Sequence, residues 1–393
     1  MKAFRYNTQT CVYYGRNSIA GHQDIFKEYG KKAVVVSSKF VKGCPNYARD
    51  DLKEIFRKLD MEFIILEDVV EDPPVENIVA MYEKLDGFTP DFLVGAGGGA
   101  ALDAAKALAM LIGNPGKDPY DIFYGAGAPM NNFKNICDIP VFSVPTTAGT
   151  GSEVTGGAVL TGKDKQTKEA MYMWYYPEIS FVDPRYIERA PLFLLDTGAI
   201  DALAHGVECS IHKDANVLNR GIARTGFELF AQFKDNLLKG TLEAEDFDKL
   251  SLAAFTQGIA FMQSCTTIPH GLGYPLSHFK NVCHGLACGI FLGEYVKAFR
   301  NQAVIQPIVE ACGFKDAAEF AGYVQQITNR DVDIEVTEEE IVKWTDMFME
   351  QQQWRLEANP EKFDWNDIYN MYEASLKKYI VAETKHTGGI ENE

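Results

Sequence analysis

Along the first 190 or so residues, short β-branched and aromatic runs alternate with stretches whose apolar positions recur every three or four residues. Residues 32–37, 62–66, 91–94, 141–144, 158–161 and 179–182 read as strands. Between the early ones, residues 46–59, 75–85 and 100–111 read as helices. Strands alternating with helices predict a parallel, doubly wound, Rossmann-like sheet. After Asp183-Pro184 the rhythm changes. Residues 198–212, 215–237, 245–263 and 338–352 keep a helical period, and β-rich runs become scarce. The chain is therefore expected to fold as an α/β domain, residues 1–187, followed by an all-helical domain, residues 188–393. A bulky segment before Pro177, from Tyr172 through Met173, Trp174 and Tyr175 to Tyr176, reads as core.

Composition narrows the classes. The chain has 393 residues, 46% of them hydrophobic, enough for more than one core. A formal net charge of −17 argues against a general nucleic-acid binder, which needs clustered Lys and Arg. The eight cysteines form no C-x-x-C pair, so neither a zinc knuckle nor a dithiol motif is suggested. Free thiols in a chain this large fit a reducing cytoplasm. No apolar run approaches the roughly 20 residues a membrane-spanning helix needs.

Two loops follow predicted strands. In the first, Val94 runs into Gly95, Gly97, Gly98 and Gly99, and a helix opens at Ala100. Glycines admit close backbone approach, and the unpaired amides of a first helical turn attract an anion such as a pyrophosphate. A tight strand-to-helix turn is the plainer alternative. The loop lacks the Gly-Lys-Ser/Thr of a Walker motif, and it does not follow the first strand, where a dinucleotide fingerprint belongs. The second loop runs Pro145-Thr-Thr-Ala-Gly-Thr-Gly-Ser-Glu153 and is dense in hydroxyls. It suits phosphate or ribose, or is a polar self-capping turn. Two such loops at strand ends favour a nucleotide cleft.

The second half carries Asp201 and His205 at i and i+4, which a helix places on one face. His270 and His284 each precede a glycine. One carboxylate and three imidazoles suit a divalent metal such as iron or zinc, although each residue alone could be a hydrogen-bonded core group. His22, His212, His278 and His386 have no equivalent spacing and read as surface or structural.

Together these motifs resemble the iron-containing (group III) alcohol dehydrogenase family, butanol and propanediol dehydrogenases among them, from about Tyr13 to Leu376. The resemblance rests on Gly97-Gly-Gly-x-x-x-Asp103-x-x-Lys106, on the Pro145–Glu153 loop, on Asp201-Ala-Leu-x-His205, on His270 and on Cys283-His284-Gly285. Asp183-Pro184 and Asn359-Pro360 also fall where the family has them. It implies the dehydroquinate synthase-like, two-domain architecture with the active site between the halves. It implies Fe²⁺, or Zn²⁺, on Asp201, His205, His270 and His284. It implies contacts to a nicotinamide dinucleotide cofactor from Gly97, Gly98, Gly99, Ala100, Asp103, Thr146, Thr147, Thr150, Ser152 and Lys168. The implied reaction interconverts an alcohol with its aldehyde or ketone; a homo-oligomer, a dimer or higher, is the base-rate expectation for a cytosolic enzyme.

Three positions depart from the pattern. Ala100 replaces a serine, removing one hydroxyl. Tyr274 stands where many members carry a proton-relaying histidine, and is the candidate relay here. After the first nucleotide-domain strand, Ser38 and Lys39 replace an acid that would repel a 2′-phosphate, which favours NADP(H) over NAD(H). A polyol (glycerol-type) dehydrogenase and a dehydroquinate synthase-like lyase are the alternatives. The lyase needs basic residues around the ligands, where the sequence suggests only Lys280.

Overall fold

In a computed structural model the described residues are 4, 6–38, 45–124, 137–161, 169–172 and 175–381. Lys39, Lys168, Met173, Trp174 and His386 lie outside them. The six strands β1 (Cys11–Tyr14), β2 (Lys32–Ser38), β3 (Glu62–Val69), β4 (Phe92–Gly97), β5 (Val141–Pro145) and β8 (Ile179–Val182) form one sheet. Its order is β1-β8-β5-β4-β2-β3, and every pair is parallel. Two further strands, β6 (Gly157–Leu160) and β7 (Glu169–Tyr172), pair antiparallel as a separate hairpin.

The period-2 geometry of β2 explains the layers. Val34 and Val36 face one core, shared with Leu102's helix Gly99–Ile112 through Ala104, Ala105 and Leu108. Ala33 and Val35 face the other, with Phe26, Phe56 and Leu52 of the helix Tyr47–Lys58. Both faces are covered, so the central strands read as continuous apolar runs rather than alternating ones.

Sequence reading missed β1. Cys11 and Tyr14 are exposed and the two residues between them half-buried, so this edge strand carries no burial pattern. Its place is set by partner β8, a pairing about 170 residues away in sequence. The expected strand at 158–161 exists as β6, but it belongs to the hairpin rather than the sheet.

After β8, Asp183 caps a short turn by accepting from the Arg185 amide. Beyond it the described chain is helical, from Leu192–Ile211 through Val217–Lys239, Ala244–Phe261, Ile268–Lys280, His284–Gly289 and further helices to Trp365–Leu376. These enclose a third core that includes Phe227, Phe230, Leu272, Trp344 and Tyr372. The halves meet through close glycine contacts. A Cβ on Gly149 would lie 2.7 Å from the Cα of Gly198, and one on Gly151 would lie 2.4 Å from the Cα of Gly258. Gly151 also has φ +64°, which only glycine adopts freely. Arg16 adds ion pairs to Glu188 (2.5 Å) and Asp248 (2.9 Å).

Candidate active site between the two halves

Strand order explains why the glycine loop follows the fourth strand. From β2 the chain moves outward to β3, then returns to lay β4 on the other side of β2. The reversal opens a crevice at the carboxyl ends of β2 and β4, where open α/β sheets bind ligands. Ser38 ends β2, Gly97 ends β4, and Pro145, paired with Gly97, ends β5.

Glycines 97–99 are tightly faced. A Cβ on Gly97 would lie 2.7 Å from Ala101 Cβ and 3.7 Å from Ser38 Oγ. One on Gly98 would lie 3.3 Å from Thr147 Cγ2, and one on Gly99 would lie 2.7 Å from Thr150 Cγ2. The threonine loop therefore stands directly across from the start of the helix Gly99–Ile112, whose cap Gly98 offers no side chain to its first amides. Those amides and the threonine hydroxyls make a cradle suited to phosphate oxygens. Ala100 lies in the first turn and Thr146 donates its amide to Gly97 O at 2.9 Å.

Asp103 and Ser152 have different surroundings. The Asp103 carboxylate accepts from Ser152 Oγ and from the Val159 amide (2.8 Å). Lys106, fully buried, donates to Ser152 Oγ (2.7 Å) and Gly157 O (2.8 Å). Burial lowers the Lys106 pKa against the opposing pull of Asp103. This buried network ties the first loop's helix to the second loop and to β6. In the described chain Asp103 and Ser152 hold the cradle's shape.

The metal candidates come from three helices. Asp201 and His205 lie on Leu192–Ile211 and are 3% and 5% exposed. His270 sits in the first turn of Ile268–Lys280, behind Pro269. His284 opens the helix His284–Gly289. The 14-residue gap between the two histidines, left open by sequence, is thus one helix, which runs through Pro275, and a turn with Asn281 at φ 54°.

His270 Nε2 lies 3.7 Å from Asp201 Oδ1, and His205 Nε2 lies 3.9 Å from the same oxygen. Donor atoms around one tetrahedral ion with bonds of 2.0–2.3 Å lie roughly 3.3–3.8 Å apart, so the spacing fits a shared cation. Asp201 Oδ1 and His270 Nε2, which face each other, are buried with no hydrogen-bond partner. Orphaned buried polar atoms of this kind cost roughly 1–3 kcal/mol each, and a bound ion removes the cost. Asp201, His205 and His270 form one trio with donor atoms within 4.8 Å of one another. His270, His284 and Cys288 form a second. The four predicted ligands therefore divide between two overlapping trios that meet at His270.

Residues that the sequence reading did not single out complete the site. Glu208 is fully buried one turn beyond His205. It accepts from His270 Nδ1 and from the Thr267 amide, both at 2.5 Å. Burial pushes its pKa up, but the His270 charge and hydrogen bond, the Thr267 amide and Arg355 outweigh this and hold it low. With Nδ1 engaged, Nε2 of His270 is left as the free donor. The signal was present: Asp201, His205 and Glu208, at spacings of 4 and 3, share one helix face. Burial lowers the His205 pKa, opposed by Asp201, and its ring stacks on Phe261 at 4.4 Å.

Tyr274 is half-buried, and its hydroxyl accepts from Arg355 Nη2 at 2.8 Å. Burial raises the phenol's pKa and Arg355 partly offsets it, so the phenol keeps its proton in neutral water. Arg355, 4% exposed, also donates to Thr266 Oγ1 (2.9 Å) and Thr267 O (3.0 Å). It corrects the expectation that Lys280 is the only basic residue near the ligands, because folding brings it in from 81 residues beyond Tyr274. Lys280 itself is paired with Glu340 at 2.7 Å. Elsewhere, His22 and His278 are exposed, and the buried His212 accepts the Asp214 amide at 3.0 Å. Tyr175 and Tyr176 are buried, as expected for core.

A parallel sheet with a bare cradle at its switch point, set against a helical half bearing an Asp/His cluster, is the plan of a metal-dependent dehydrogenase. Comparison with known proteins agrees. The family model "iron-containing alcohol dehydrogenase" matches residues 9–184, and the model of that family's C-terminal part matches residues 196–376. The chain belongs to the iron-containing alcohol dehydrogenase family, whose members are metal-dependent alcohol/aldehyde oxidoreductases. It is 26% identical over 337 residues to lactaldehyde reductase of Escherichia coli K12, covering 82% of this chain and 85% of that protein. It is 27% identical over 318 residues to 1,3-propanediol dehydrogenase of Klebsiella pneumoniae, covering 78% and 79% respectively. Among solved structures, the iron-containing alcohol dehydrogenase of Thermotoga maritima superposes with TM-score 0.84 at 26% identity, covering 95% of this chain and 100% of that one. Among the described residues no helix is long and apolar enough to cross a membrane.

Proposed function

We propose that this chain interconverts short-chain alcohols and aldehydes with NADP(H), using Fe²⁺, or Zn²⁺ in its place, on Asp201, His205, His270 and His284. The unpartnered donor atoms Asp201 Oδ1 and His270 Nε2, 3.7 Å apart, carry this reading, with Asp201 one helical turn from Gly198 and its contact with Gly149 of the threonine loop. Such a metal supplies Lewis acidity toward a carbonyl or alkoxide oxygen, and the nicotinamide supplies or accepts the hydride.

The chain's own residues then have distinct tasks. Glu208 fixes the tautomer and orientation of His270. Gly97, Gly98, Gly99, Ala100, Thr146, Thr147 and Thr150 cradle the pyrophosphate and ribose. Asp103 and Ser152 brace that cradle and, in this reading, contact the cofactor as well; the family resemblance gives the same role to Lys168, which lies outside the described residues. Tyr274, oriented by Arg355, holds a proton at its hydroxyl for transfer to the substrate oxygen. Ser38 beside Gly97, with Lys39 following it, supports the preference for a 2′-phosphate. The nucleotide-binding unit spans residues 1–187 and the metal-binding unit 188–393. The enzyme is expected to be a cytoplasmic homo-oligomer.

The relatives' names supply the first substrate panel: lactaldehyde, and 1,3-propanediol with its aldehyde. The test follows reduced-nicotinamide absorbance with NADPH and NADH, iron or zinc supplied. A higher kcat/KM with NADPH is expected. Equal or better use of NADH removes the role given to Ser38 and Lys39. Turnover of glycerol in preference to all of these would place the chain with the polyol dehydrogenases.

A further inference from the structure

The second donor trio contains a sulfur. Cys288 follows His284 by four residues on the helix His284–Gly289, so both side chains leave the same face. Its Sγ lies 3.6 Å from His284 Nδ1 and 3.8 Å from Nε2. Cys288, His284 and His270 place their donor atoms within 4.8 Å of one another. The Sγ–Nδ1 and Sγ–Nε2 separations, 3.6 and 3.8 Å, fall within the roughly 3.3–3.8 Å expected between two ligands of one tetrahedral ion. A second observation points the same way: His270, 4% exposed, is common to both trios, and its Nε2 has no hydrogen-bond partner.

The backbone that carries the sulfur is closely packed. A Cβ on Gly285 would lie 2.3 Å from Thr197 O and 2.8 Å from Asp201 Cβ, and one on Gly289 would lie 1.9 Å from Ile200 Cγ2. The short helix therefore lies directly on the helix that bears Asp201 and His205, with Cys288, itself buried, on the turn between its two glycines.

We propose that the Cys288 thiolate is a ligand of the metal at this centre, making it a mixed oxygen, nitrogen and sulfur site. The inference rests on the metal-centre reading above. Binding would release the thiol proton to solvent as the metal–sulfur bond forms. A soft donor shifts preference toward thiophilic ions, so the site should favour zinc over iron more strongly than an Asp/His₃ set does.

The test uses the full chain, stripped of metal by a chelator and titrated with Co²⁺ and then Zn²⁺. Wild-type protein is expected to bind Co²⁺ with an intense near-ultraviolet thiolate-to-cobalt absorption as well as the weaker visible bands. Cys288→Ala should lose the near-ultraviolet absorption, retain visible bands in altered form, and bind Zn²⁺ at least about tenfold more weakly, since loss of even an outer-shell partner costs that much. Cys283→Ala, a control on the neighbouring thiol, should keep the full spectrum. Co²⁺ bound by wild type without the near-ultraviolet band, or a Cys288→Ala spectrum and Zn²⁺ affinity like those of wild type, overturns the sulfur ligand and leaves the metal centre standing. Failure of the wild type to bind Co²⁺ or Zn²⁺ at all overturns both readings.

Discussion

At the residue scale, the site depends on how few polar atoms are left over. Glu208 occupies Nδ1 of His270, which leaves Nε2 facing Asp201. Removing that carboxylate should release the imidazole to rotate. Glu208→Ala is expected to weaken metal binding roughly ten- to hundredfold, measured by competition with a chromogenic chelator. His270→Ala removes the residue common to both donor trios. It should abolish bound metal and turnover together, and retained metal with full activity would exclude His270 as a ligand. For Tyr274, the Arg355 contact orients the hydroxyl while burial keeps it protonated. Tyr274→Phe should lower kcat at least about tenfold, given the usual contribution of general acids, with KM little altered. An unchanged kcat would show that the proton leaves by another route.

Glu153 makes a residue-scale prediction about pH. Burial raises its pKa from 4.5 to about 7. The folded chain then holds a proton there that the unfolded chain has released, over the window from about 4.5 to 7. Its contribution to stability is therefore greatest below that window and falls as pH rises through it. Glu153→Gln keeps the shape and removes the titration. In urea unfolding the variant should match the wild type near pH 4.5 and exceed it at pH 8, by up to about 3 kcal/mol. An identical difference at both pH values would refute the assignment.

At the element scale, the two halves are registered by backbone-to-backbone approach. The Pro145–Glu153 loop sits on the Leu192–Ile211 helix because neither Gly149 nor Gly198 has a side chain. A methyl group on Gly198 would lie 2.4 Å from Ala148 O. Gly198→Ala should therefore destabilise the fold by about 1–3 kcal/mol and raise KM for the cofactor, because the loop must retreat. Urea unfolding and steady-state kinetics measure the two effects. The buried Lys106–Asp103–Ser152 network has the complementary task of holding the same loop to the sheet side.

At the scale of the whole molecule, each half keeps its own core and the metal candidates lie between helices rather than inside either sheet core. Stripping the metal should abolish turnover while far-ultraviolet circular dichroism stays native, with full recovery when metal is restored. Loss of helical signal on chelation would mean that the metal holds the fold itself.

The amino-acid sequence by itself determined the α/β-then-helical order, most strand and helix positions, the two loops and the four Asp/His candidates. All but His270 and His284, which the family resemblance supplied, are written in local periodicity or short spacing, because a 2.0- or 3.6-residue repeat and an i, i+4 pair act within one element. Tertiary structure alone decided the rest. It placed edge strand β1 beside β8, and it put the glycine loop at the sheet's switch point although it follows the fourth strand. It also brought Glu208 and Cys288, each local to another histidine, to the distant His270, and Arg355 to Thr266, Thr267 and Tyr274. Those positions depend on which distant surfaces pack together. Packing turns on the close approach of glycines such as Gly149, Gly198 and Gly285, a steric fact about pairs of elements that no single stretch of chain expresses.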